Sequence, residues 1–100
     1  MTSKLVIQPV DATTIRVAGE LGFANADEGV ARSNEVTSGS AAIGIDIGGI
    51  ERPDSATLGV LLIWAARAAA RGVRLRFTNV PDGLRALARL CDAEPLLGIA

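Results

Sequence analysis

The stretch IGIDIGGIERPDSATLGVLL, residues 43 to 62, sets the architecture of this 100-residue chain. Ile43, Ile45 and Ile47 alternate with Gly44 and Asp46, the period of two of a strand in the middle of a sheet. Gly48 and Gly49 are read as its end. Ile50 to Pro53 follow as a loop, because Pro53 has no N–H for a ladder and biases Arg52 toward extended backbone. Ser55 to Arg71 then reads as a helix, with Ser55 as N-cap, strong helix formers in the body and Gly72 at the stop position.

Working outward, Lys4 to Val10 and Thr13 to Ala18 are β-rich runs separated by Asp11 and Ala12, which predicts an antiparallel hairpin. Asn25 to about Thr37 has few apolar residues and reads as one surface helix, broken at Ser38, Gly39 and Ser40. Val73 to Phe77 alternates as another strand. Pro81 then opens a helix carrying Leu84, Leu87, Ala88 and Cys91, with Cys91 read as a buried small hydrophobe. A short last turn spans Pro95 to Leu97. The order β-β-α-β-α-β-α, with right-handed crossovers between parallel strands, implies one α/β domain over 1–100 built on a mixed sheet.

Composition narrows the chemistry. Nearly half of the residues are apolar, about a fifth are charged and the net charge is −1, the balance of a folded globular domain. The longest apolar run, Leu58 to Ala66, is too short to span a bilayer, and Leu5 to Ile7 is too brief for a secretory signal, so a cytoplasmic protein is expected. One cysteine and no histidine leave no disulfide, no usual zinc spacing and no serine–histidine–acid triad. No cofactor is implied. Phe23, Trp64 and Phe77 are scattered without a basic stripe, which argues against nucleic acid.

On a helical wheel, Leu58, Leu61, Leu62, Ala65 and Ala69 fall on one side of the Ser55 helix, taken to face the sheet. The other side carries Ala56, Val60, Ile63 and Arg67, with Trp64 on the border. Seven elements that must cover both faces of a sheet leave little chain to cover this second side. It is therefore expected to be an exposed apolar patch of the kind that meets a partner. Ser55 has two readings: a cap contributing about 1 kcal/mol, or a kinase-accessible serine whose phosphate would meet the free amides of the first turn but lie beside Glu51 and Asp54. Asp54 and Ser55 are the only local nucleophile-and-base pair, and adjacent cap residues rarely point at one another, so an enzyme is not expected.

Asp54-Ser55-Ala56-Thr57-Leu58-Gly59 after the Ile43 strand, together with Gly19-Glu20-Leu21 and the order of elements, resembles the STAS family over nearly the whole chain. The stretch from Asn79 to Leu90 is most similar to the MlaB-type branch, the small STAS subunits of Mla phospholipid transporters. The resemblance implies a non-catalytic regulator or assembly factor that binds an ABC-transporter ATPase alongside its permease, at the inner membrane, in phospholipid trafficking that keeps the outer membrane asymmetric. It puts the contact on Asp54, Ser55, Ala56, Thr57, Gly59, Val60, Ile63, Trp64 and Arg67. The other branch, the anti-sigma factor antagonists, implies phosphorylation of Ser55 by a partner kinase. Gly22, where antagonists usually carry aspartate, and Thr57, where they favour glycine, depart from that branch.

Overall fold

The computed structural model describes residues 4–37 and 41–99, so the expected break at 38–40 lies outside the described residues. Strands β1 (Leu5–Asp11), β2 (Thr14–Glu20), β3 (Ala42–Glu51) and β4 (Arg74–Thr78) form one sheet in the order β1-β2-β3-β4. β1 and β2 are the antiparallel hairpin; β2 with β3, and β3 with β4, are parallel. The helices are α1 (Ala26–Ala31), α2 (Asn34–Thr37), α3 (Ser55–Ala70) and α4 (Asp82–Leu90), followed by a 3-10 turn at Pro95–Leu97. This is the expected α/β class with a mixed sheet.

Alternation along the strands shows how the layers are arranged. Ile43, Ile45 and Ile47 on β3 and Leu75 and Phe77 on β4 are buried, while Arg16, Arg74, Arg76 and Thr78 at the intervening positions are exposed. Paired residues share a face: Ile43 lies opposite Leu75 and Ile45 opposite Phe77, whereas Arg16 lies opposite Asp46 and Gly44 opposite Arg76. The helices therefore cover one face of the sheet, and the other is open and polar, as a sheet in a two-layer domain permits.

Gly48 and Gly49 do not end β3. The strand continues to Glu51, with Gly49 beside Ala18, Ile50 beside Gly19 and Glu51 beside Glu20. The glycine is needed for closeness, since a Cβ on Gly49 would stand 2.7 Å from that of Ala18. Ile50 and Glu51 thus belong to the strand, and the loop contracts to Arg52–Asp54.

The single helix expected over 25–37 is divided into α1 and α2 at Arg32 and Ser33. Both pieces pack on α3. Gly29 sets the closeness of this contact, because a Cβ there would lie 2.7 Å from Leu21 Cδ1 and 3.0 Å from Val60 Cγ1. Trp64 Nε1 donates to the Gly29 carbonyl at 2.9 Å, and Arg67 Nη1 donates to the Val30 carbonyl and to Ser33 Oγ. Arg71 donates to Thr37 Oγ1 and Asn34 Oδ1. Arg67 in the last turn of α3 and Arg71, its C-cap, therefore hold the bend in the α1–α2 segment.

This packing narrows the expected apolar patch. Val60 is 2% exposed and Trp64 is fully buried, covered by α1 and α2 of the same chain. Helices lie on only one face of the sheet, so chain was left to cover α3. The inward arc of α3 is Thr57, Leu58, Val60, Leu61, Trp64 and Ala68. Leu62 and Ala65 are half-buried and Ala69 is exposed, contrary to the wheel assignment. Cys91 is also exposed, because α4 ends at Leu90 and the thiol follows as its C-cap.

Candidate functional site

Pro53 stops the ladder and delivers Asp54 in extended backbone (φ −134°) at the head of α3. Asp54, not Ser55, is the N-cap. Its Oδ1 accepts the Thr57 N–H at 3.0 Å, and the Asp54 N–H donates to Thr57 Oγ1 at 3.0 Å, a reciprocal capping box. Ser55 is the first helical residue, exposed, with its hydroxyl released from the capping role.

The same carboxylate reaches a second loop. Asp54 Oδ2 accepts the Phe23 N–H at 3.1 Å, and Thr57 Oγ1 donates to the Leu21 carbonyl. Gly22 N–H donates to Asn25 Oδ1, and Asn25 Nδ2 donates to the Glu20 carbonyl, which shapes the turn from β2 into α1. A Cβ on Gly22 would sit 2.6 Å from Asp54 Oδ2. The glycine that departs from the antagonist pattern is thus the residue that lets the two loops close on one another.

Partial burial pushes the Asp54 carboxyl up, but the N–H groups of Phe23, Thr57 and Ala56 together outweigh it and hold the group below its ordinary value. It stays ionised as an acceptor at neutral pH. No hydrogen bond joins it to Ser55, so the only nucleophile-and-base pair in the loop is not assembled. Among the described residues, no three acidic, cysteine or histidine side chains lie together to hold a metal ion, and no helix is long and apolar enough to cross a membrane.

The expected contact residues separate into two groups. Ser55, Ala56, Gly59 and Ile63 share one side of α3 that is exposed or half-buried, and Leu62 and Ala66 complete the same stripe. None of these six is charged. Arg67 is exposed at its edge. Thr57, Val60 and Trp64 are buried and have no surface to offer, since Thr57 binds Asp54 and Leu21 while Val60 and Trp64 pack under α1. Gly59 stands apart: a Cβ there would meet nothing within 4 Å. Neither packing nor backbone angle within this chain calls for glycine at that place.

Two residues of the site depart from the sequence reading. Phe23, which carried no clear signal, is 75% exposed at the tip of the β2–α1 loop, and Arg52, expected in extended backbone before Pro53, instead adopts left-handed backbone (φ 46°), which costs a non-glycine residue about 1 kcal/mol. Both border a cavity of about 150 Å³ lined also by Glu20, Glu51 and Asp54. The available hint was that Phe23 is the one aromatic lying outside any periodic segment, next to a glycine.

No curated protein matches the chain in sequence. The fold is similar to that of the anti-sigma factor antagonist SpoIIAA in its unphosphorylated form, with a TM-score of 0.71 at 19% identity over 97% of this chain and 88% of that one. It is equally similar to an anti-sigma factor antagonist from Mycobacterium paratuberculosis, with a TM-score of 0.72 at 17% identity over 98% and 85%. At such identities the likeness is one of fold. The family model described as "Mlab, STAS domain" matches residues 6–98, which with the Asp54-capped helix on a four-stranded mixed sheet shows that this chain belongs to the STAS family, in its MlaB-like branch.

Proposed function

We propose that this protein is a non-catalytic STAS subunit of an Mla-type transporter complex that binds the transport ATPase and regulates or stabilises it in phospholipid trafficking. The MlaB-like family match over residues 6–98 carries the reading. STAS domains act as protein-interaction modules, and the uncharged stripe from Ser55 to Ala66 supplies a surface suited to that use. Its place at the inner membrane would come from the complex rather than from a span of its own.

Co-purification with the ATPase and permease of an Mla-type transporter from the same host is the direct test. Ile63, 38% exposed in the middle of the stripe, is the residue to change, since Val60→Asp would put an unpaired charge in the core. Ile63→Asp is expected to leave the melting temperature within a few degrees and to abolish co-purification of the ATPase. Binding that survives in the folded variant overturns the reading.

Gly59 provides a second prediction. A glycine inside a helix costs about 1 kcal/mol relative to alanine, and a methyl group at 59 meets no neighbour in this chain. Gly59→Ala is expected to raise the melting temperature by about 4–8 °C while weakening capture of the ATPase, as measured by thermal unfolding and titration of the same sample. A stabilised variant with undiminished binding would remove Gly59 from the contact.

The alternative is a phospho-switched anti-sigma factor antagonist, favoured by the exposed hydroxyl of Ser55 at the first position of α3. The closure of Gly22 on Asp54 weighs against it, because there is no room for an aspartate at 22 without moving the cap. Incubation with a cognate serine kinase and ATP, followed by mass spectrometry, separates the two; an unmodified Ser55 argues for the transporter reading.

A further inference from the structure

Two of the chain's three aromatic side chains are explained by the fold, and the third is not. Trp64 and Phe77 are buried, but Phe23 is 75% exposed. Its backbone is nevertheless fixed: the Phe23 N–H is held by Asp54 Oδ2, and the Gly22 and Asn25 backbones are tied across the same turn. A rigidly presented aromatic with nothing to cover it is the usual form of an interface anchor, because ordering entropy has been lost before the partner arrives. The surroundings carry a sign as well. The adjoining cavity is lined by three carboxylates, Glu20, Glu51 and Asp54, against one guanidinium, Arg52.

We infer that Phe23 is the anchor of the interface, and that it enters an apolar pocket on a protein partner whose rim carries lysine or arginine. This rests on the reading that the Ser55–Ala66 side of α3 contacts a protein, and it adds a second contact point at the head of that helix. The acidic setting complements a basic rim, and electrostatic steering would make association salt-dependent.

The test uses the purified transport ATPase as probe. Phe23→Ala is expected to bind about 30-fold more weakly or worse with an unchanged melting temperature, Phe23→Leu to retain most of the affinity, and Glu20→Gln to flatten the loss of binding between low and moderate salt. If Ile63→Asp abolishes binding while Phe23→Ala stays within twofold of the parent, the anchor is overturned and the α3 reading stands. If the parent does not bind the ATPase at all, that reading fails and the anchor is decided separately, by placing a photo-crosslinking amino acid at 23 in the native host. A crosslink to one identified protein, beside an apolar pocket rimmed by lysine or arginine, supports it when that purified protein binds the parent about 30-fold more tightly than it binds Phe23→Ala. No crosslink, a peptide without basic residues, or a crosslink only to a second copy of this chain overturns it.

Discussion

Trp64→Ala is expected to remove most of the stability of this domain. The indole is fully buried among α1, α3 and the sheet, and loss of such a side chain costs about 3–5 kcal/mol. The Gly29 carbonyl also loses its donor, Trp64 Nε1, which adds about 1–3 kcal/mol where water cannot replace it. A domain of this size has about 5–15 kcal/mol in total, so the variant should be largely unfolded or melt at least about 15 °C lower. Trp64→Phe separates the terms: it keeps most of the burial, loses only the hydrogen bond, and should cost about 1–3 kcal/mol. Chemical denaturation of the three proteins decides the matter. An alanine variant within 1 kcal/mol of the parent would mean that α1 does not pack on α3 as described.

Asp54→Ala should have the next largest effect, and it acts on two loops at once. The substitution takes the acceptor from the Thr57 N–H, a cap worth about 0.5–2 kcal/mol, and it frees the Phe23 N–H. The turn at 22–25 then loses its tie to α3, so binding of the partner should fall by more than the stability loss explains. Asp54→Asn retains one carbonyl oxygen but presents an NH₂ group to the other N–H, so it can keep the cap or the Phe23 bond but not both. Amide exchange at Phe23 and Thr57 would show which is kept.

The charge state of Asp54 gives the same tie a pH dependence. Its folded-state carboxyl lies below the ordinary value of 3.8 despite partial burial, because three backbone N–H groups favour the ionised form. A depressed pKa stabilises the fold fully above the unfolded value and loses that contribution as pH falls through the folded one. The parent should therefore weaken below about pH 4 relative to its own plateau, with part of that slope absent from Asp54→Asn. Parallel slopes in the two proteins would show that the carboxylate is not the group responsible.

What could be read from residues alone was local. Alternation of Ile43, Ile45 and Ile47, the run from Ser55 to Gly72 and the hairpin around Asp11 announce their own elements, because period and punctuation are properties of neighbouring residues. The α/β class and the parallel neighbours follow from them, whereas the Asp54–Ser55 loop as a place of contact came from the family resemblance and the wheel of the helix it opens. Three things depended on contacts distant in sequence. Gly48 and Gly49 look like a strand end, yet pairing with Ala18 and Gly19 carries β3 on to Glu51. Ser55 is a good cap by type, but Asp54 takes the position because its carboxylate can serve Thr57 and Phe23 together. The outward face of α3 turned on whether one sheet face or both is covered, which no local pattern encodes. One face is left open, so α1 and α2 bury Val60 and Trp64, and the surface that remains is the narrower stripe of Ser55, Gly59 and Ile63 with Phe23 beside its head.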